Sequence, residues 1–385
     1  MRICLVYDCL FPWTVGGAER WMRNVAEALA ADGHDVTYLT RRQWDDAGAP
    51  DIAGVRVIAV SGRDELYGPD GTRRIAPPLR FGAGVLRHLW RHGGDFDVVH
   101  TASFPYFSLL AAGLARRRHG FRVVADWHEV WSAEYWSEYL GPLGPVGAAV
   151  QTLCAQVPQR AFCFSQLHAG RLAALGLRGP EPVVLRGEWA GSTQRPDPAP
   201  AAVPPHLVFA GRLIPEKQAP AIVGAVVEAA REVPGLHATI FGDGPQRDAV
   251  RAEIDRLGAH EVVAAPGFVD AEVLHEALRE ALCLLLPSRR EGYGMVVVEA
   301  ASLGVPTITV AEPDNAAVEF ITDDVNGFVA ADASPEELAR RIVLVADRGP
   351  VLRERTADWF ADHADELSLR RSLERVLTAY SSARS

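Results

Sequence analysis

Short apolar runs alternate with longer amphipathic segments along most of the chain. Residues 2–7 and 35–40 are apolar runs typical of buried parallel strands, and apolar residues at helical spacing predict a helix over residues 18–32. The same strand–helix rhythm recurs over residues 97–125 and again over residues 207–310. The alternation predicts an α/β fold with doubly wound parallel sheets.

A proline-rich segment interrupts this rhythm, with five prolines in the eleven residues 195–205. Such a segment favours a semi-rigid linker between two domains, whereas a surface loop on one large domain is the open alternative. We therefore expect a domain over residues 1–195, a linker over 196–205 and a second domain over 206–365. Residues 366–385 are expected to form a helix that crosses back to the first domain.

Composition narrows the classes of partner. The 385 residues carry a formal net charge of −10 without a dense basic stripe, which disfavours nucleic acid. The apolar runs are too short to cross a membrane, and residues 1–10 lack a signal-peptide pattern. We expect a cytoplasmic protein, at most peripheral at the inner face of the membrane. The cysteines show no metal-ligand spacing and predict buried free thiols: Cys4, Cys9, Cys154, Cys163 and Cys283.

One lysine stands among the 39 basic residues, and it lies in a candidate binding segment. Gly211–Lys217 directly follows the first predicted strand of the second domain. There Arg212 could grip a phosphate with two parallel hydrogen bonds, and Lys217 adds a compact positive charge. Two cations at the carboxyl end of a strand suit a diphosphate.

The segment 288–303 carries the strongest chemical pattern. Glu291 and Glu299 are separated by seven residues, with a glycine-rich turn that leads into an apolar helical run. The amides of Gly294, Met295 and Val296 would stand at the start of that helix, ready for phosphate or sugar oxygens. Glu299, one turn further, could bind the two hydroxyls of a ribose.

A resemblance to a known family rests on these motifs in their order along the chain. They are Gly16-Gly17, Gly211-Arg212 with Lys217, Gly242-Asp243-Gly244-Pro245, Pro266-Gly267-Phe268-Val269 and Glu291-x7-Glu299. Together they resemble the retaining GT-B glycosyltransferases of family 4 over residues 1 to about 345. The resemblance implies two Rossmann-like domains facing an interdomain cleft. It also implies transfer of a sugar from a nucleotide-diphosphate sugar with retained anomeric configuration, without a bound metal or other cofactor.

The resemblance assigns roles to individual positions. Arg212 and Lys217 would hold the diphosphate, Glu291 the donor sugar and Glu299 the ribose, with Phe268 beside the base. The implied donor-binding set is Gly16, Gly17, Arg212, Lys217, Gly242, Phe268, Glu291, Gly292, Gly294, Met295, Val296 and Glu299. The implied catalytic set is His128, Glu291, Arg212 and Lys217.

His128 belongs to that set because it ends a predicted first-domain strand where the family commonly has a histidine; a core histidine bonded to backbone is the alternative. The sequence departs from the family in residues 312–319, which lack a glycine pair before Glu319. This departure leaves the identity of the sugar open. Asp95-Phe96-Asp97 matches a metal-binding pattern, but Asp97 is interpreted as a cap on the following strand.

The aromatic stretch 131–140 could seat a lipid surface, line an acceptor pocket or pack as a helix on the core. Partners are thus a UDP- or GDP-hexose donor and a hydroxyl acceptor, which could be lipid-linked, a glycan or a small metabolite. Two other functions stay open: a nucleotide-sugar epimerase of the same architecture and a non-catalytic nucleotide-sugar-binding protein.

Overall fold

The computed structural model describes residues 1–14, 16–45, 48, 50–65, 74 and 76–382. The chain divides into two compact units, the first formed by Met1–Glu188 with the segment from Arg370 onward and the second by Trp189–Leu369. The proline-rich segment 196–205 therefore belongs to the second unit, where the amide of Ala202 donates to the carbonyl of Glu280 over 2.8 Å.

Parallel strands form the centre of the first unit. In chain order they are Arg2–Val6 (β1), Asp35–Arg41 (β2), Val55–Ser61 (β3), Val98–Ala102 (β4), Arg122–Trp127 (β5), Arg160–Cys163 (β6) and Val183–Val184 (β7). Their spatial order is β3-β2-β1-β4-β5-β6-β7, with every described pair parallel. The order reverses between β1 and β4, as in a Rossmann sheet.

Helices cover the faces of this sheet, which is why its strands are apolar almost throughout. They are Gly17–Ala31 (α1), Ala76–His92 (α2), Phe107–His119 (α3), Ala133–Leu140 (α4), Gly144–Ala155 (α5) and Gln166–Ala174 (α6). All five residues of β4 are buried, as expected for a central parallel strand.

The second unit also has a central parallel sheet covered by helices. Its strands are His206–Ala210 (β8), His237–Phe241 (β9), Val263–Gly267 (β10), Cys283–Leu286 (β11), Arg290–Glu291 (β12), Thr307–Val310 (β13), Asp314–Asn315 (β14) and Gly327–Ala330 (β15). The main sheet has the order β10-β9-β8-β11-β13-β15, which reverses between β8 and β11, and β12 pairs with β14 beside it. Each unit thus confirms the predicted doubly wound α/β class with a Rossmann-like strand order.

The helices of the second unit are Pro220–Ala229 (α7), Arg247–Leu257 (α8), Ala271–Arg279 (α9), Met295–Ala301 (α10), Pro335–Arg348 (α11) and Pro350–Leu367 (α12). Capping residues in the sequence determine where helices begin, as α11 shows. The hydroxyl of Ser334 accepts the amide of Glu337 and Pro335 takes the first position of α11, where its missing N–H costs nothing.

The predicted thiols are buried in these cores: Cys4, Cys9, Cys154, Cys163 and Cys283 are all free and buried. In the described part of the chain, no helix combines the length and apolar character needed to span a bilayer.

The last helix, Leu369–Ser382 (α13), packs with the first unit through a buried polar network. The hydroxyl of Tyr380 lies 2.5 Å from Nδ1 of His100 on β4, and Nε2 of His100 lies 2.7 Å from a carboxylate oxygen of Asp126 on β5. The other carboxylate oxygen of Asp126 accepts the indole N–H of Trp21 over 2.7 Å. These four side chains are at most 1% exposed, so each hydrogen bond replaces one that water would otherwise supply.

Replacing Tyr380 with phenylalanine tests this network. Tyr380→Phe leaves Nδ1 of His100 buried without its partner, so we expect the free energy of unfolding to fall by about 1–3 kcal/mol. Urea denaturation followed by circular dichroism measures the change. Thr378→Ala, an exposed change on the same helix, is the control and should alter stability by less than about 0.5 kcal/mol. Equal effects of the two variants would contradict the network's role.

Candidate functional site

Two segments of the second unit flank the point where its strand order reverses. One follows β8 and contains Gly211–Lys217; the other follows β11 and contains Ser288–Glu291. In open α/β sheets, ligands bind outside the carboxyl ends of the strands at such a point. The fold therefore brings the predicted cations and Glu291 to one edge of the second sheet.

A buried ion pair joins the two segments. The ammonium of Lys217 contacts Oε1 of Glu291, and the hydroxyl of Ser288 donates to the same oxygen over 2.8 Å. The side chain of Lys217 is 17% exposed and that of Glu291 is 9% exposed, so neither charge is well solvated. A carboxylate in this position needs its cation, because an isolated buried charge is costly.

Arg212 lies beside this pair in sequence but is exposed, and its side chain forms no hydrogen bond or ion pair with any described residue. A neighbouring contact fixes the loop: Arg290 lies 3.4 Å from a carboxylate oxygen of Glu216, and the amide of Arg289 donates to the carbonyl of Glu216 over 2.8 Å. The arrangement anchors Lys217 and leaves the Arg212 guanidinium available to a ligand.

The small sheet of β12 and β14 holds Glu291 in place. Glu291 pairs with Asn315, whose side-chain amide donates to Thr309 Oγ1 over 3.0 Å and to the carbonyl of Val310 over 2.9 Å. Residues 312–319, where the sequence departs from the family pattern, thus contain the strand that supports Glu291.

Two glycines allow close backbone approach at this edge. Gly294 precedes α10 with a φ of 97°, and a Cβ there would lie 2.8 Å from Cβ of Ala317. Gly242, with a φ of 134°, would place a Cβ 1.8 Å from the carbonyl oxygen of Gly211. Any side chain at either position would force the loops apart.

The remaining donor-binding candidates of the second unit follow its strands. Gly292, Met295, Val296 and Glu299 are half-buried on or before α10, which is only seven residues long. Phe268 comes directly after β10 and is 73% exposed, a rare degree of exposure for such a large apolar ring. Nothing in these positions shows a ligand role by itself.

Three candidates lie in the first unit. Gly16 and Gly17 stand at the start of α1, and Gly16 has extended backbone that any residue adopts. His128 follows β5, where its ring stacks on Phe164 at 4.4 Å. Burial lowers the pKa of His128, and its Nε2 atom is buried without a hydrogen-bond partner among the described residues. His128 thus differs from a core histidine whose two ring nitrogens are both satisfied.

Asp126 connects these first-unit candidates. Its carboxylate binds Trp21 of α1, the helix that Gly16 precedes, and it lies two residues before His128. The hydrogen bonds fix the start of α1 and the end of β5 relative to each other. Sequence analysis singled out His128 but not its buried neighbour His100.

The aromatic stretch 131–140 forms much of α4 and packs on the first unit. Tyr135 and Trp136 are 6% and 4% exposed, and Trp131 contacts both rings. Core packing therefore accounts for these two rings. Asp97 accepts the amide of Arg2 over 2.8 Å and pairs with its guanidinium, so its side chain caps the start of the neighbouring strand β1 rather than of β4, the strand that follows it.

The sequence patterns did not indicate the roles of several residues near the candidate site. Ser288 and Asn315 orient Glu291, and only the fold brings them together. Glu188 lies where the chain leaves the first unit; burial raises its pKa to about 8, with a smaller contribution from Asp126. Within the described ranges, no group of three or more His, Cys, Asp and Glu side chains is arranged to hold a metal ion.

Family models match both halves of the chain. Residues 16–187 match the glycosyl transferase 4-like domain, and residues 192–358 match glycosyl transferases group 1. A glycogen synthase of Mycobacterium tuberculosis is 29% identical over 345 residues, which cover 80% of this chain and 78% of that protein. A D-inositol 3-phosphate glycosyltransferase of Actinosynnema mirum is 27% identical over 403 residues, covering 96% and 93%.

Solved structures share the fold. The Anabaena HepE structure in complex with UDP superposes with a TM-score of 0.74 at 17% identity, covering 99% of this chain and 100% of that one.

The Lys217–Glu291 pair predicts a specific pattern of stability. Lys217→Met strands the Glu291 carboxylate and should lower the free energy of unfolding by about 3 kcal/mol, whereas the double variant Lys217→Met/Glu291→Gln should recover most of that loss. Urea denaturation of the wild type and the two variants measures it. If the double variant is no more stable than Lys217→Met alone, the pair does not carry the buried charge as described.

Proposed function

The chain belongs to the glycosyltransferases of GT-B architecture, and from that membership we propose that it is a retaining glycosyltransferase acting on a UDP- or GDP-hexose. In this proposal, the second unit binds the nucleotide-sugar donor and the sugar passes to a hydroxyl of an acceptor. The family model over residues 192–358 and the position of the cations in the second sheet support the assignment.

The observation that carries the proposal is the buried Lys217–Glu291 pair beside the exposed Arg212 at the switch point of the second sheet. An ammonium has three donors, and Glu291 and phosphate oxygens can share them. A guanidinium held by no protein carboxylate can bind a phosphate with two parallel hydrogen bonds. A diphosphate is the group that uses both cations together.

The same cations would drive the chemistry. When the bond between the anomeric carbon and the diphosphate breaks, negative charge collects on the phosphate oxygens. Arg212 and Lys217 stabilise that charge and so lower the barrier to departure. Lys217 is held by Glu291 before the reaction, so its ammonium needs little reorganisation in the transition state.

Glu291 would orient the sugar. Its Oε1 atom holds Ser288 and Lys217, and we assign its second carboxylate oxygen to hydroxyls of the donor sugar. Glu299 is assigned to the ribose, the exposed ring of Phe268 to the base, and Gly242, Gly292 and the Gly294–Val296 backbone to close contacts with the donor.

Retention requires the acceptor hydroxyl to attack from the face that the leaving group vacates. A departing phosphate oxygen is placed to take the hydroxyl proton, so no protein base is needed for that step. In the first unit, Gly16 and Gly17 are assigned to the diphosphate, and His128 to the sugar near the reacting carbon as a neutral polar contact, consistent with its lowered pKa.

The two alternatives make different products. An epimerase converts the donor alone to its epimer. A non-catalytic protein binds the donor and releases it unchanged. A retaining transferase yields a new glycoside with the anomeric configuration of the donor. Proton NMR of reactions with and without an acceptor panel separates the three, because the anomeric coupling constant reports configuration. An epimer formed without acceptor, or an inverted glycoside, would contradict the proposal.

Arg212 offers a test of donor binding that does not disturb folding. Arg212→Gln removes an exposed side chain and should leave stability unchanged, but it should raise the Kd for UDP or GDP, whichever binds the wild type, by about tenfold or more. Isothermal titration calorimetry measures both nucleotides. Arg251→Gln, an exposed arginine on α8, is the matched control and should bind like the wild type. Unchanged affinity in Arg212→Gln would remove that residue from the donor site.

A further inference from the structure

A cavity of about 510 Å³ lies in the first unit at the amino ends of its central strands. Val98, Arg122 and Arg160 line it, and they are the first residues of β4, β5 and β6, which are neighbours in the sheet. Asp126 and His128 lie at or beyond the other end of β5. The cavity is therefore separate from the carboxyl edge on which the proposed catalytic groups stand.

The lining is strongly basic. Arg116 of α3 and Arg178, which follows α6, join Arg122 and Arg160 around the cavity, and none of the described residues that line it is acidic. Arginine keeps its charge across the physiological pH range. Four like charges around one space repel one another unless an anion occupies it.

Neutral groups hold two of these four arginines in position. Nη1 of Arg122 donates to the carbonyl of Tyr380, and its Nη2 lies 3.7 Å from the sulfur of Met1. Nη1 of Arg160 donates to the carbonyl of Glu181 over 3.5 Å. Arg116 and Arg178 form no side-chain hydrogen bond or ion pair with any described residue. The guanidinium charges of Arg122 and Arg160 are thus oriented without being neutralised, and those of Arg116 and Arg178 are also not neutralised.

We propose that this cavity binds a small phosphate-bearing molecule, distinct from the nucleotide-sugar donor. Planar guanidinium groups bind phosphate oxygens bidentately, and half-buried arginines such as Arg116, Arg122 and Arg160 do so with less competition from water. A volume of about 510 Å³ accommodates a ligand of the size of a sugar phosphate. The recognised chemistry is a phosphomonoester or diphosphate, supplied either by a free metabolite or by a lipid headgroup.

Occupation of the cavity also bears on the last helix. Ala379 and Tyr380 of α13 form part of the lining, together with Arg122 of β5 and Arg160 of β6. A ligand that contacts the arginines bridges the sheet to α13 and strengthens the attachment of that helix to the first unit. The ligand should therefore stabilise the protein as well as bind to it.

Calorimetric titration with inorganic pyrophosphate tests the site, in the presence of excess UDP or GDP, whichever binds the wild type, so that the donor site is occupied. We expect Arg116→Gln/Arg160→Gln to weaken pyrophosphate binding at least tenfold and to abolish the rise in Tm that pyrophosphate causes in the wild type. Arg91→Gln/Arg117→Gln removes two exposed arginines outside the cavity and should bind pyrophosphate as the wild type does. Equal pyrophosphate binding in the two double variants would overturn the proposal.

A single substitution at an exposed arginine tests the site in case the double variant does not fold. Arg178→Gln changes an exposed side chain and should weaken pyrophosphate binding by about threefold with unchanged stability and unchanged UDP binding. Because UDP binding is measured separately in every variant, failure of this site is distinguishable from failure of the donor site. A crystal soaked in tungstate provides a second measurement. The cavity would be excluded as a phosphate site if Arg178→Gln binds pyrophosphate as the wild type does and the soaked crystal shows no tungstate density beside Arg116 and Arg160.

Vesicles distinguish the two sources of phosphate. If pyrophosphate binds but vesicles of phosphatidylcholine with 20% phosphatidic acid do not, the ligand is a free phosphorylated metabolite. If Arg116→Gln/Arg160→Gln also abolishes vesicle flotation and pyrophosphate competes with it, the cavity takes a lipid phosphate. Vesicle binding without any pyrophosphate binding would contradict a phosphate pocket and assign the arginines to general surface attraction.

Discussion

The second unit depends on one interaction, the buried pairing of the single lysine of the chain with Glu291. A carboxylate at the carboxyl edge of a parallel sheet is costly to bury alone, and Lys217 offsets that cost from a loop on the other side of the switch point. Ser288 and the β12–β14 pairing then fix the carboxylate. The side chain of Arg212 has no partner among the described residues, and we propose that Arg212 and Lys217 together bind the diphosphate of the donor.

In the first unit, too, a buried carboxylate is held by side chains from several elements. Asp126 is fully buried and is held by His100 and Trp21, and His100 in turn reaches Tyr380 of the last helix. One carboxylate therefore links α1, two central strands and α13. This network fixes the end of β5 and the start of α1 relative to each other, and it thereby positions the loop that carries His128.

The spacing of apolar residues and the glycines and prolines between the apolar runs were sufficient to predict the fold class. Parallel strands that are buried on both faces appear in the sequence as continuous apolar runs. The strand–helix rhythm predicted over residues 207–310 is observed as alternating strands and helices from β8 to β13. Two-residue strands such as β12 and β14 have no periodicity and could not be foreseen. Candidate residues that carry a motif, such as Lys217 and Glu291, can be selected from the sequence. Ser288, Asn315 and Asp126 act through contacts that only the folded chain creates. The arginine-lined cavity is likewise invisible in sequence, because its four arginines come from separate elements.

A single lysine permits one direct measurement of the central claim, that Lys217 binds the donor diphosphate. Protein grown with ¹³C-labelled lysine gives one ε-methylene NMR signal, from the carbon next to the ammonium. Titration with UDP and with GDP should move that signal progressively, with saturation at the calorimetric Kd, for the nucleotide that binds. A signal that stays in place while either nucleotide binds the protein would contradict the account.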